Sequence, residues 1–246
     1  MLTFFERIPY GESGDFSLFT ITHYLVVIVS AIIIYLFYLI TPFIKKSQHE
    51  KKIRYTIGVL LILSSIPIWT YAFNNNLPWY MYLPEATCGW ATYLGAYTMF
   101  TGNRKTFSLT FMWGWGVIST FLASNILEGP DRFNFYNFFF RHILIMFSII
   151  YMYKIMDYRI TKKDFKLYFI VTLIMAVVGG VISNIVNNPT QLNMFYMLQP
   201  AKNTPILGYL LEVHYLLYVF VWLGLATLVG YLWGLPFYQK NDYENS

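Results

Sequence analysis

The fold is decided by residues 18–41, LFTITHYLVVIVSAIIIYLFYLIT, which contain no Asp, Glu, Lys or Arg. About 20 such residues in a helix span the hydrocarbon core of a bilayer, which is roughly 30 Å thick. Similar apolar runs recur along the 246-residue chain, in which hydrophobic residues make up 57%, charged residues make up 12%, and the mean hydropathy is +0.48. These values exclude an ordinary soluble domain and predict a multi-pass integral membrane protein.

The hydropathy pattern predicts an all-α polytopic bundle of seven transmembrane helices. The predicted spans lie near residues 18–41, 55–73, 83–101, 107–127, 138–156, 167–186 and 209–234. The longest stretch between spans, around residues 187–207, is too short for a separate soluble domain. We therefore expect residues 1–246 to form a single transmembrane bundle. The polar and acidic residues 1–16 do not resemble a cleavable signal peptide, so the first span is expected to remain as an anchor.

Basic residues are concentrated in alternate loops, which predicts the orientation of the chain. Three such loops carry Lys45, Lys46, Lys51, Lys52, Arg54, Arg104, Lys105, Arg159, Lys162, Lys163 and Lys166. The loops on the other side have Arg132 and Lys202 as their basic residues. The positive-inside rule then predicts an amino terminus outside and a carboxyl terminus in the cytoplasm. The same rule accounts for the net charge of +5, so we expect no nucleic-acid partner.

Most of the polar side chains within the predicted spans fall near their non-cytoplasmic ends. A charged side chain at the centre of a bilayer costs roughly 3 kcal/mol on insertion scales, so such groups usually face a bundle interior or a wet cavity. We predict that these residues line one externally open site. They are His23, Glu85, Cys88, Asn125, Arg141, His142, Asn184, Glu212 and His214.

Cys88 is the only cysteine of the chain, which excludes an intrachain disulfide. The ordinary pKa of a thiol is about 8.5, so it becomes a useful nucleophile only where a neighbouring base or cation favours the thiolate. Arg141 and His142 lie at a similar depth in the fifth span and are the natural candidates. Glu85, three residues before Cys88, shares its helical face. The alternative interpretation is that Cys88 is a small buried hydrophobic residue.

His142 begins a wholly apolar stretch, so its partner must come from another span. An imidazole, whose ordinary pKa is near 6.5, can accept a proton from Cys88 or from a bound hydroxyl at neutral pH. A purely structural interhelical hydrogen bond is an equally open alternative for His142.

The remaining polar residues are candidates for substrate binding or for helix packing. His23 lies beside Thr20 and Thr22, where one interhelical hydrogen bond explains it equally well. Asn125 and Asn184 supply neutral donors and acceptors. Glu212 and His214 are about 200° apart on a helix, and we favour His214 as the one that points inward.

A zinc site is a further alternative, because three histidines, two glutamates and a cysteine fall in one layer. The chain has no tight ligand pair such as His-x-x-x-His, and Arg141 would disfavour a second positive centre. We therefore expect no metal and no other cofactor.

The chain resembles the YwaF-like bacterial integral membrane proteins, which are similar to animal transmembrane protein 164. The resemblance rests on a histidine in the first span (His23), Leu83-Pro84 followed by Cys88, NFFFRH at residues 137–142 and NMFYMLQP at residues 193–200. The third-span motif of the family looks like Leu-Pro-Leu-x-Leu-Cys, from which Glu85 and Thr87 depart. The resemblance implies a location in a bacterial plasma membrane.

The animal members are described as acyltransferases that move a fatty acyl chain between phospholipids. By resemblance, Cys88 would be the nucleophile and His142 its base. We therefore expect a lipid acyltransferase or transacylase that acts in the outer leaflet on phospholipids or related acyl esters, with membrane lipids as its partners. Water in place of the acceptor would make it a hydrolase. The alternatives are a non-catalytic lipid-binding, transport or accessory protein and a zinc-dependent membrane hydrolase.

Overall fold

Helices form the framework of the chain. The computed structural model describes residues 4–8, 16–84, 86–124, 126–186, 193–200 and 205–239. The α-helices within them are α1 (Ile21–Lys46), α2 (Glu50–Leu63), α3 (Ile66–Asn74), α4 (Thr87–Thr101), α5 (Arg104–Met112), α6 (Gly114–Leu122), α7 (Phe133–Lys154), α8 (Lys162–Val186), α9 (Pro205–Val213) and α10 (Tyr215–Gly234). Short 3-10 turns lie at Trp79–Tyr82, Met194–Tyr196 and Leu235–Phe237. The all-α prediction is confirmed for the described residues.

Five helical units among the described residues are long and apolar enough to cross a bilayer. They are α1, α2 together with α3, α7, α8, and α10 with the turn that follows it. The other two predicted spans correspond to α4, which has 15 residues, and to the pair α5 and α6. The chain is therefore a multi-pass integral membrane protein, and the total of seven spans stays a prediction.

The connections that follow α1, α4 and α7 meet at one end of the bundle, which we call the basic end. Lys45 forms an ion pair with Asp157, and the Tyr158 hydroxyl donates to the Gly102 carbonyl. Because α1, α4 and α7 all finish here, they run in the same direction. Residues 4–8 and the starts of these three helices form the other end, which we call the amino-terminal end.

A buried carboxylate joins α5 to α8 at the basic end. Asp164 accepts hydrogen bonds of 3.0 and 2.6 Å from Arg104, and it also accepts one from the Ser108 hydroxyl. The Thr161 amide and hydroxyl donate to the same carboxylate at 2.7 and 2.8 Å. An acidic side chain that reaches back to the residue before a helix is a capping box. Asp164 thus begins α8 and also neutralises Arg104.

Three of the predicted spans are interrupted. The second breaks at Ser64 and Ser65, immediately before Pro67, which has no amide hydrogen to continue a helical ladder. The fourth breaks at Trp113. The seventh breaks at His214, whose backbone is extended with φ −166° and ψ 124°.

Helix α7 lies at the centre of the bundle, because 67% of its most apolar stretch is buried, compared with 17% for α1 and for α10. Glycine lets α4 approach α7 closely, since a Cβ at Gly95 would lie 3.0 Å from the Ser148 hydroxyl oxygen. The large exposed apolar side chains are concentrated on α1, α8 and α10. These three helices therefore present the surface that suits acyl chains.

Residues 193–200 were predicted to belong to a loop beyond the end of the sixth span, but they turn back along α8. The Met194 amide donates to the Ser183 hydroxyl at 3.0 Å, and a Cβ at Gly179 would lie 3.0 Å from the Cβ of Met194. Phe195 and Tyr196 have positive φ angles of 54° and 56°. Their carbonyls accept hydrogen bonds from side chains of α10, and the bond from Trp222 to Phe195 measures 2.7 Å. The polar backbone of this returning segment is thereby satisfied by the helices around it.

Candidate functional site

The site begins at the break between α2 and α3, which leaves one carbonyl without a helical donor. In a continuous helix the Ile68 amide would donate to Ser64, but it donates to Ser65 at 3.2 Å. The Ser64 carbonyl instead accepts hydrogen bonds of 2.6 Å from Arg141 Nη2 and 3.0 Å from Asn137 Nδ2. The kink in the second span thus fixes the position of a guanidinium on α7.

Cys88 is the second residue of α4 and is partly buried. Its thiol lies within electrostatic range of the Arg141 guanidinium, as does the Tyr93 hydroxyl one turn further along α4. A nearby guanidinium and the positive end of a helix dipole both stabilise a thiolate relative to a thiol. The sequence had placed Cys88 and Arg141 at similar depth, and the structure brings the two groups into one neighbourhood.

His142 follows Arg141 but points about 100° away from it around α7. Its Nδ1 donates to the Phe138 carbonyl at 2.7 Å, which leaves Nε2 as the acceptor of a neutral imidazole. The ring lies against Phe138 and Phe121, with centroid distances of 4.5 and 6.2 Å. Nε2 is buried and has no hydrogen-bond partner among the described residues. The geometry therefore offers one proton acceptor that no structural contact uses.

Four buried polar atoms on α4, on α7 and at the break between α2 and α3 lack a hydrogen-bond partner within the described part of the chain. Three are donors or potential donors, Ser65 Oγ, Trp90 Nε1 and Arg141 Nε, and the fourth is His142 Nε2. Buried polar groups of a folded protein are nearly always paired, so each of these atoms is a candidate to contact a ligand. Chemically, the set can donate to an ester or phosphate oxygen and can accept a proton from a hydroxyl or a thiol.

His23, in contrast, has both ring nitrogens occupied. Its Nδ1 accepts from the Phe19 amide at 3.1 Å, and its Nε2 donates to the Phe121 carbonyl at 2.9 Å. It is buried and fastens the start of α1 to the end of α6. Phe121 also packs against His142, so it contacts both histidines.

The other predicted site residues are not gathered around Cys88. Asn184 is exposed on α8 and donates to the Gly180 carbonyl at 2.9 Å. His214 is exposed at the break between α9 and α10. The predicted separation of Glu212 and His214 around the helix assumes one continuous helix, so it does not apply. Glu85 and Asn125 lie outside the described residues.

The described residues contain no group of three or more His, Cys, Asp or Glu side chains that could hold a metal ion. Of the four described histidines, His23 and His142 bond the helical carbonyls described above, and His49 and His214 are exposed.

Sequence reasoning missed the Ser64 break, Trp90 and Arg7. Pro67 within an apolar span is a signal that could have predicted the break. Trp90 carries no such signal, because its unpaired indole nitrogen follows from packing between two hydrophobic clusters. The position of Arg7 depends on a contact over 121 residues of sequence.

Comparison with family models matches residues 18–232 to the TMEM164 family. No curated protein and no solved structure matches the chain.

Proposed function

The chain belongs to the TMEM164 family, and from this premise we propose that it is a membrane-embedded lipid acyltransferase or transacylase with Cys88 as its nucleophile. The observation that carries the proposal is the position of the Arg141 guanidinium, which is bonded to the Ser64 carbonyl within electrostatic range of the Cys88 thiol. The unpaired Nε2 of His142 supports it, because acyl transfer to a thiol and from it needs a proton acceptor.

In the first step, the Cys88 thiol transfers its proton to His142 Nε2, and the thiolate attacks the carbonyl carbon of an acyl ester. The carbonyl π electrons move to oxygen, and Arg141 stabilises the resulting oxyanion. The ester C–O bond then breaks, the departing lipid alkoxide takes the proton from His142, and the acyl group stays on Cys88 as a thioester.

In the second step, the hydroxyl of an acceptor lipid gives its proton to His142 and attacks the thioester. The C–S bond breaks and Cys88 takes the proton back. Water as the acceptor gives hydrolysis by the same route. Glu85 and Asn125 are proposed to contact the lipid near Cys88, and His23 to position the wall behind His142. Asn184 and His214 are proposed to contact lipid elsewhere on the surface.

The location of the reaction follows from orientation. We place the basic end in the cytoplasm of a bacterial cell on the positive-inside pattern, so Cys88 lies in the outer leaflet of the plasma membrane. At this depth a thiol meets both acyl carbonyls and headgroups. The direction of α4 supports this placement, because α4 ends at the basic end, as α1 and α7 do, so its start with Cys88 points toward the other end.

The test is direct, because Cys88 is the only cysteine of the chain. The purified protein is incubated with phospholipid vesicles, and its intact mass is measured before and after hydroxylamine at neutral pH. We expect a mass increase of one acyl chain that hydroxylamine removes, and no such increase in Cys88→Ala. If no thioester forms and Cys88→Ala remodels lipids normally, the covalent mechanism is wrong and a non-catalytic lipid-binding role takes its place. Activity that depends on added zinc would indicate a metal-dependent hydrolase.

A further inference from the structure

The first described residues of the chain are fastened over the amino-terminal end of the bundle. The Phe133 amide donates to the Phe4 carbonyl at 2.8 Å, and Arg132 Nη1 lies 3.5 Å from the Glu6 carbonyl oxygen. Residues 4–8 are thus held against the connection between α6 and α7. The next side chain in this segment, that of Arg7, is consequently placed beside α3.

Arg7 is held by two weak contacts. Its Nε lies 3.4 Å from Glu128 Oε1, and its guanidinium lies over the Tyr71 ring, 5.2 Å from the centroid. Among the described residues Glu128 contacts only Nε, so no described hydrogen bond uses the two terminal nitrogens of the Arg7 guanidinium, which suit a planar, bidentate partner. Glu128 itself is buried, with a side-chain exposure of 4%.

Arg7 and Arg141 are both held against the second span, on α3 and at the break that precedes it. The Arg141 guanidinium is bonded to the Ser64 carbonyl at the break, and the Arg7 guanidinium lies over the ring of Tyr71 on α3. The two guanidinium groups are close enough to repel each other. Glu128 pairs with Arg7, but no described carboxylate forms an ion pair with Arg141.

We propose that Arg7 and Arg141 together bind a phosphate-bearing anion at the amino-terminal end of the bundle. Guanidinium groups match the tetrahedral oxygens of phosphate with paired donors, and an anion is attracted by both cations. The buried Arg141 Nε and Ser65 Oγ, both without partners among the described residues, are additional donors on the same side. Residues 4–8 thus complete a binding site whose other half belongs to α7.

The assignment deepens the proposed function, since a lipid headgroup bound here would hold its ester near Cys88. Inorganic phosphate offers the same chemistry without the lipid. The experiment therefore uses both, and it measures binding in Cys88→Ala protein so that the result does not depend on acyl transfer.

Thermal stability of this protein in a non-ionic detergent is followed against potassium phosphate, dioctanoyl phosphatidylglycerol, and the phosphate-free dioctanoylglycerol, at constant ionic strength. A ligand that binds the folded state raises the Tm with concentration, which gives an apparent Kd. We expect phosphatidylglycerol to bind and dioctanoylglycerol to have no effect. A comparable Kd for inorganic phosphate would identify free phosphate as the ligand, and a much weaker one would identify the lipid headgroup.

Two variants, each of which removes one of two opposite charges, distinguish an anion site from a structural ion pair. Arg7→Gln should weaken anion binding about tenfold or more, because it removes a charge-assisted pair. Glu128→Gln should strengthen binding, because it removes the competing negative charge. Lys45→Gln, at the basic end, is the matched control and should leave anion binding unchanged. The proposal is overturned if neither phosphate-bearing compound binds, or if Arg7→Gln and Glu128→Gln leave the Kd unchanged while both lower the basal Tm.

Discussion

The Arg141 guanidinium donates a 2.6 Å hydrogen bond to the Ser64 carbonyl, across the space between α7 and the break in the second span. The bond holds the cation at the level of Cys88, with which it interacts electrostatically. A helix interruption that looks like a local defect thereby determines where a positive charge lies in an apolar bundle. The reactivity of the thiol and the break in the helix are consequently linked.

Arg141→Gln should slow alkylation of Cys88 by N-ethylmaleimide at pH 7, because the thiolate loses its nearby cation. A tenfold slower rate corresponds to about 1.4 kcal/mol of lost stabilisation of the thiolate. Arg141→Lys keeps the charge and should retain part of the rate. The measurement is the second-order rate of mass labelling, with Lys45→Gln as a control at the basic end. An unchanged rate in Arg141→Gln would show that the guanidinium does not act on the thiol.

His142→Asn should abolish acyl transfer and preserve the fold. The asparagine amide can take the place of Nδ1 and still donate to the Phe138 carbonyl, but it leaves nothing at the position of Nε2. Loss of a general base lowers a rate by about 10²- to 10⁴-fold. Lipid transfer by the purified variant is compared with its Tm. A variant that is as active as the parent would assign His142 to packing alone.

Asp164→Asn should destabilise the basic end of the bundle. The change leaves Arg104 without its charged partner and weakens the bonds from Thr161, so we expect a loss of about 3 kcal/mol. For a chain of this length that is a decrease in Tm of roughly 6 to 12 °C. Asp157→Asn removes an exposed partner of Lys45 and should change stability by less than about 1 kcal/mol. Equal effects of the two substitutions would contradict the assignment of Asp164 as the structural carboxylate.

Gly230→Ala should destabilise the contact between α8 and α10, because its new Cβ would lie 2.0 Å from the Tyr168 hydroxyl oxygen. Tyr168 would have to give up its 2.8 Å hydrogen bond to the Ala226 carbonyl, and overpacking of this kind costs about 1–3 kcal/mol. Gly224, on the same helix, has no heavy atom within 4 Å of such a Cβ. Gly224→Ala should therefore be neutral or slightly stabilising in the same thermal measurement. The reverse order would mean that α8 and α10 pack differently.

Labelling of single cysteines distinguishes seven spans from five. In a Cys88→Ala background, a cysteine at Ser17 should react with a membrane-impermeant maleimide in intact cells, and one at Gln48 should react only after permeabilisation. Lys105→Cys is decisive, because its exposed side chain follows α4 near the basic end. With seven spans it is protected in intact cells. Labelling of Lys105→Cys in intact cells would mean that α4 and the α5 and α6 pair do not cross.

The apolar segments could be predicted from sequence because each is a local property of about 20 residues. The helical framework and the common level of Cys88 and Arg141 follow from position along those segments. The extended backbone at His214 and the return of residues 193–200 along α8 depend on tertiary contacts, so hydropathy does not reveal them. Arg7 was missed for the same reason, since its neighbours Tyr71 and Glu128 are distant in sequence.

The returning segment also constrains the order in which the chain can assemble. Its carbonyls at Phe195 and Tyr196 rely on donors from α10, which is synthesised later. Until α10 is inserted, these carbonyls lack the hydrogen bonds that Tyr218 and Trp222 supply, and burial of an unsatisfied carbonyl in hydrocarbon is unfavourable by several kcal/mol. Residues 193–200 must therefore wait in contact with water during translation and descend beside α8 only after α10 has entered the bilayer.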